Sequence, residues 1–98
     1  MARITVTPAA AEDLDRLILT HTLPADTRAR VRRSIKPLGR FPLLGAPLPA
    51  RWEGFRFILG PWRWMVILYV FDEDEDRVSV VPIQDGRSAR AGSAGLSP

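Results

Sequence analysis

The sequence predicts an α+β fold: an N-terminal strand, then an αα-hairpin packed on one face of a mainly antiparallel four-stranded sheet. Three observations predict it. Apolar residues recur at helical spacing in the stretch that leads up to Pro37. Alternating and continuous apolar runs, rich in Val, Ile, Phe and Trp, fill the stretch from Phe55 to Ile83. A short alternating segment, Arg3 to Thr7, opens the chain with Ile4 and Val6 on one side. With 98 residues, 46% of them hydrophobic and 26% charged, the chain suits one folded domain with one core.

The first strand ends at Thr7-Pro8, which reads as a helix start: a capping hydroxyl, then proline at the first helical position. Glu12, Asp13 and Asp15 lie early in this helix, where the macrodipole favours acids. Leu14, Leu17 and Ile18 share one face, and His21 continues it. His21 reads as a boundary residue and a favourable charge at the helix C-terminus, ahead of any catalytic role. Thr22-Leu23-Pro24 is a tight connection into a second helix, in which Val31, Ile35 and Leu38 repeat at helical spacing. Arg28, Arg30, Arg32, Arg33 and Lys36 crowd its other faces, most simply as a solvated surface. Pro37 ends the regular helix near Lys36. Arg40 to Arg51, with Pro42, Gly45, Pro47 and Pro49, reads as an irregular loop with extended stretches.

The last third reads as a strand meander. Phe55 to Leu59 forms one strand and Gly60-Pro61 a turn. Trp62 to Phe71 forms a long strand, apolar on both faces apart from Arg63 and therefore central. Asp72 to Asp76 is a solvated acidic hairpin loop, without the glycine and spacing of a calcium loop. Arg77 to Ile83 is the final strand, which Pro82 assigns to a position near an edge. Residues 1–90 form the domain, and 91–98, all Gly, Ser, Ala, Leu and Pro, form a flexible tail.

Composition excludes several classes of function. The chain has no cysteine and one histidine, so thiolate metal sites, disulfides and a His-built zinc site are out of reach. No cofactor or metal is expected. The longest apolar run, Trp64 to Phe71, is far below membrane-spanning length, and the first seven residues are too short and polar for a signal peptide. A cytoplasmic protein is expected. The net charge is +3, and all the basic residues but Lys36 are arginine, whose planar fork suits phosphate and carboxylate.

The order of elements, together with particular residues, resembles the RelE/ParE superfamily of toxins over nearly the whole chain. Thr7-Pro8-Ala9-Ala10-Ala11-Glu12-Asp13-Leu14 is similar to the family's opening, where an alanine and an acid–leucine pair follow the first strand. Leu38-Gly39-Arg40-Phe41-Pro42-Leu43-Leu44-Gly45 is similar to its leucine–proline–glycine loop. Gly54-Phe55-Arg56-Phe57-Ile58-Leu59-Gly60-Pro61-Trp62-Arg63 resembles its basic second strand, glycine turn, aromatic and arginine. Ile83-Gln84-Asp85-Gly86-Arg87 resembles its closing basic motif.

The resemblance implies the toxin of a type II toxin–antitoxin pair, of the plasmid-stabilisation kind, neutralised by a cognate antitoxin. Two targets come with it: DNA gyrase on the ParE side, or messenger RNA cut on the ribosome on the RelE side. It also implies Arg63, Arg87 and Arg56 as the residues meeting a phosphate or an acidic target. Cleavage by the 2′-hydroxyl needs proton removal and stabilisation of a crowded phosphorane. Arginine serves the second task and fails the first. Two departures weaken the nuclease reading: Ile58 stands where active members carry a second basic residue, and Ala91-Gly92-Ser93 where they carry a tyrosine. Tyr69 matches a structural tyrosine of the family and belongs in the core. Gyrase-type inhibition is therefore slightly favoured over a ribosome-dependent endoribonuclease. A non-toxic basic nucleic-acid-binding module, in which Trp52, Trp62 or Trp64 stack on bases, is the reading from another class.

Overall fold

The computed structural model describes residues 1–49 and 52–87. The flexible tail expected at 91–98 lies outside them. The elements run β1 (Arg3–Val6), α1 (Pro8–His21), α2 (Thr27–Ile35), a 3₁₀ turn (Lys36–Gly39), β2 (Ala46–Pro47), β3 (Phe55–Leu59), β4 (Met65–Asp72) and β5 (Arg77–Asp85). The sheet order is β1-β5-β4-β3-β2, with β1 parallel to β5 and every other pair antiparallel.

The sheet has five strands where four were expected. The extra one is β2, two residues of the proline-rich loop that pair with Arg56 and Phe57. Its pairing is set by β3's free edge, so nothing in its own sequence announces it. Strand β4 begins at Met65 rather than Trp62, because Met65 N donates to Trp62 O and closes a turn over Pro61–Trp64. Strand β5 continues to Asp85, two residues beyond Ile83.

Local chemistry accounts for the helices. Thr7 is extended, and its hydroxyl accepts the Ala10 N–H at 3.3 Å while donating to Val80 O at 2.8 Å. One side chain thus caps α1 and ties it to the sheet. Helix α1 ends on Thr22 in the left-handed region (φ 50), with Thr22 N–H and Leu23 N–H both donating to Ile18 O. In α2 the buried residues are Thr27, Val31 and Ile35, while Arg28, Arg30, Arg32 and Arg33 are exposed. Pro37 turns the chain into the 3₁₀ segment, whose Leu38 is fully buried.

The helices cover one face of the sheet. Ala10, Leu14, Val31, Ile35 and Leu38 pack with Met65, Ile67 and Tyr69 of β4 and Val78, Val80 and Ile83 of β5. Val80 and Ile83 both reach this face because β5 carries a bulge. Tyr69 pairs with Val80 and Ile67 with Ile83, so three steps on β5 match two on β4. Pro82 sits within that bulge and beyond Val80, the last residue that β1 pairs, where no ladder N–H is needed. The neighbouring Ile83 N–H donates instead to Asp13 Oδ2 of α1 at 3.2 Å. The opposite face carries Phe55, Phe57, Leu59, Val66, Leu68 and Val70, aligned by the β3–β4 register.

Candidate functional site: an arginine, tryptophan and histidine corner

The β4–β5 ladder extends one step beyond its last pair, Met65 with Asp85, because Gly86 N donates to Trp64 O at 2.6 Å. The next residues are Arg63, in the turn that precedes β4, and Arg87, just past the end of β5. Both are exposed. The turn that presents Arg63 depends on Gly60, whose N–H donates to Met65 O and where a Cβ would stand 2.8 Å from Met65 Sδ.

Asp85 organises the corner. Its Oδ1 accepts the Arg87 backbone N–H at 2.8 Å and lies 3.5 Å from Arg87 Nε. Its Oδ2 lies 3.0 Å from His21 Nε2 at the end of α1. The Asp85 and His21 side chains are 15% and 25% exposed, so this is a largely sheltered pair with one side open to solvent. Trp64 completes the group: its ring meets the His21 ring at 4.6 Å, and the Arg87 guanidinium lies 4.8 Å from its centroid. Trp62 stacks on Trp64 at 6.1 Å and 21°. Arg30 of α2 lies over Trp62 at 5.7 Å, with its Nε 3.0 Å from Asp26. That hydrogen bond holds the Asp26 carboxyl below its ordinary range. Arg30 and Arg87 are thus held alike, face on a tryptophan and Nε toward a carboxylate.

Arg56 lies outside this corner. It is paired with Tyr69, four residues along β4 from Met65, or about 13 Å at the usual strand rise. Its Nη1 donates to Gly45 O at 2.7 Å and Leu43 O at 3.3 Å, which fastens the loop before β2. Tyr69 fastens the same loop: its hydroxyl donates to Pro42 O at 2.7 Å and accepts Gly45 N–H at 2.8 Å. It is fully buried, and burial pushes its phenol pKa up, against the opposing effects of the Gly45 hydrogen bond and the Arg56 charge.

A second feature lies along β1, an edge strand of the sheet. Ile4 and Val6 of β1 and Ala29, Arg32, Arg33, Ile35 and Lys36 line a groove of about 630 Å³. Its floor is apolar and its α2 rim is cationic.

No protein-family model matches the chain, and no curated protein matches it. Solved structures do. A chain of the RelBE2 toxin–antitoxin complex from Mycobacterium tuberculosis is 24% identical, with a TM-score of 0.63 over 86% of this chain and 96% of its own. A chain of the chromosomal ParDE toxin–antitoxin system of P. aeruginosa is 18% identical, with a TM-score of 0.66 over 87% and 96%. A copper-bound mutant toxin from Helicobacter pylori is 16% identical, with a TM-score of 0.67 over 91% and 99%.

The chain has the RelE/ParE-type toxin fold.

Within this fold, Arg87 joins Asp85 and Trp64 at the sheet corner, Arg63 lies in the turn before β4, and Arg56 lies farther along the sheet. Sequence reasoning ranked His21 as a boundary residue ahead of a catalytic one and gave Asp85 no role. They stand 64 residues apart in sequence and are joined only by α1 packing along β5. The available signal was weak: the chain's one histidine at a helix end, and an aspartate two residues before the final arginine of the closing motif.

Proposed function

We propose that this chain is the toxin of a type II toxin–antitoxin pair, acting in the cytoplasm and held inactive by a cognate antitoxin. The observation that carries the proposal is the extent of the fold likeness. It covers at least 96% of chains from two toxin–antitoxin assemblies and from an isolated toxin, so the shared part is a whole body and not a common substructure. The groove along β1 supports an antitoxin of definite chemistry. Ile4, Val6 and Ile35 ask for apolar side chains, and Arg32, Arg33 and Lys36 ask for acids beside them. The test is expression in a host lacking the antitoxin, with and without the genomic neighbour. Growth arrest relieved by the neighbour is expected; unchanged growth with soluble full-length protein removes the proposal.

For the target, the corner chemistry favours cleavage of messenger RNA on the ribosome. Arg63 and Arg87 are suited to a phosphodiester, and His21 with Asp85 stands beside Arg87. Gyrase-type inhibition, slightly favoured from the sequence, becomes the second reading and keeps its own support. Arg56 is engaged by loop carbonyls and Tyr69 is buried, so neither is free to serve an RNA site. Induction separates the two: arrest of translation with cut messages for the first, DNA damage with intact messages for the second.

A further inference from the structure

We infer that His21, held against Asp85 beside Arg87, is the proton-transfer group of an RNA-cleaving site at this corner. The inference rests on the ribonuclease reading above and supplies the base that the arginines cannot.

Several groups are eliminated by their surroundings. An arginine keeps its proton at any physiological pH. Tyr69 is fully buried with its hydroxyl engaged twice. Lys36 lies in the β1 groove rather than at the corner. His21 is the chain's one histidine, and imidazole is the side chain best matched to proton transfer near neutrality. Its Nε2 lies 3.0 Å from Asp85 Oδ2, which turns that edge of the ring toward the carboxylate and leaves Nδ1 on the other edge. Trp64, 4.6 Å away, restricts rotation of the ring. The side chain is a quarter exposed, which leaves an approach for substrate.

The charged groups facing the imidazole are Asp85 at the end of β5 and Arg87 just beyond it. His21 and Arg87 face opposite oxygens of the Asp85 carboxylate, His21 at Oδ2 and Arg87 at Oδ1. A phosphate gripped by Arg87 is therefore brought close to the base. Asp85 also stabilises the imidazolium once it forms, as the carboxylate does in other His–Asp pairs.

The step balances with these groups alone. Nδ1 of His21 takes the proton of a 2′-hydroxyl as that oxygen bonds to the adjacent phosphorus. The bond from phosphorus to the 5′-oxygen breaks, and that oxygen takes a proton from water. His21 returns its own proton to solvent. The products are a 2′,3′-cyclic phosphate and a 5′-hydroxyl.

The test uses ribosomes programmed with a short 5′-labelled messenger RNA and the full-length chain. His21→Gln keeps an N–H for Asp85 but cannot take a proton. It is expected to cut about 10²–10⁴-fold more slowly than wild type with an unchanged melting temperature, and to lose the rising limb of the pH–rate profile. Added imidazole is expected to restore cutting by His21→Ala. If His21→Gln cuts within about threefold of wild type on the same pH profile, the inference is overturned while the ribonuclease reading stands. If wild type cuts no message, the reading falls and takes the inference with it. If His21→Gln does not fold, imidazole rescue of His21→Ala decides: rescue supports the role and its absence overturns it.

Discussion

Tyr69 shows how much one buried side chain can fasten. Its hydroxyl holds Pro42 and Gly45, and Arg56 grips Gly45 and Leu43, so an irregular proline-rich loop has a fixed course. Tyr69→Phe leaves the buried Gly45 N–H without this partner and is expected to cost about 1–3 kcal/mol in denaturant unfolding at neutral pH. The same residue predicts an alkaline effect. Unfolded tyrosine ionises near pH 10, whereas burial keeps the native phenol protonated to higher pH. Above about pH 10 the unfolded state binds fewer protons than the native state, so this residue's stability is full below that pH and is lost as pH rises through the native pKa. Melting curves of wild type should fall more steeply across that range than those of Tyr69→Phe. Gly45 belongs to the same arrangement. A Cβ there would stand 2.6 Å from Phe57 O and 2.8 Å from the Tyr69 ring. Gly45→Ala should destabilise by roughly 1–3 kcal/mol, read by the same unfolding curves, because backbone and not a flexible side chain must move. That Tyr69 is core was readable from its apolar neighbours; that its hydroxyl pins Gly45 was not, since the partners meet only in the folded sheet.

Helix α1 is tied by one hydroxyl at its start and by the approach of His21 to Asp85 at its end. Thr7 Oγ1 caps Ala10 N and reaches Val80 O on β5. Thr7→Ala should cost about 1–2 kcal/mol, with Thr7→Ser recovering most of it, as measured by thermal or denaturant melting. At the other end His21 meets Asp85, so both ends of α1 are tied to β5. The cap was legible because capping chemistry lies within four consecutive residues. Strand β2 was not, and neither was the start of β4. Trp62 to Trp64 has the composition of a strand, but the Met65 N–H to Trp62 O bond turns that stretch into a loop. Tertiary hydrogen bonding overrides propensity at such junctions.

Charge is divided across the molecule. Arg32, Arg33 and Lys36 rim the β1 groove, Arg30 and Arg87 lie on the Trp62 and Trp64 rings, and the acids Asp72 to Asp76 occupy the β4–β5 turn. Two cationic regions permit one partner at the groove and another at the corner. The double variant Arg63→Ala with Arg87→Ala should lose growth arrest while melting within about 0.5–1 kcal/mol of wild type, because exposed arginines add little stability. Arrest unchanged with an unchanged melt would make them ordinary surface charges. From sequence alone came the α+β class, the helix cap, the central strand and the pairing of three strands in order. Each follows from patterns within a few residues of one another, where periodicity and capping act. The structure alone decided the parity switch at Pro82, the fifth strand, the distance of Arg56 from the other two arginines, and the meeting of His21 with Asp85. Those depend on register and on helix docking, which arise when segments far apart in sequence share one core.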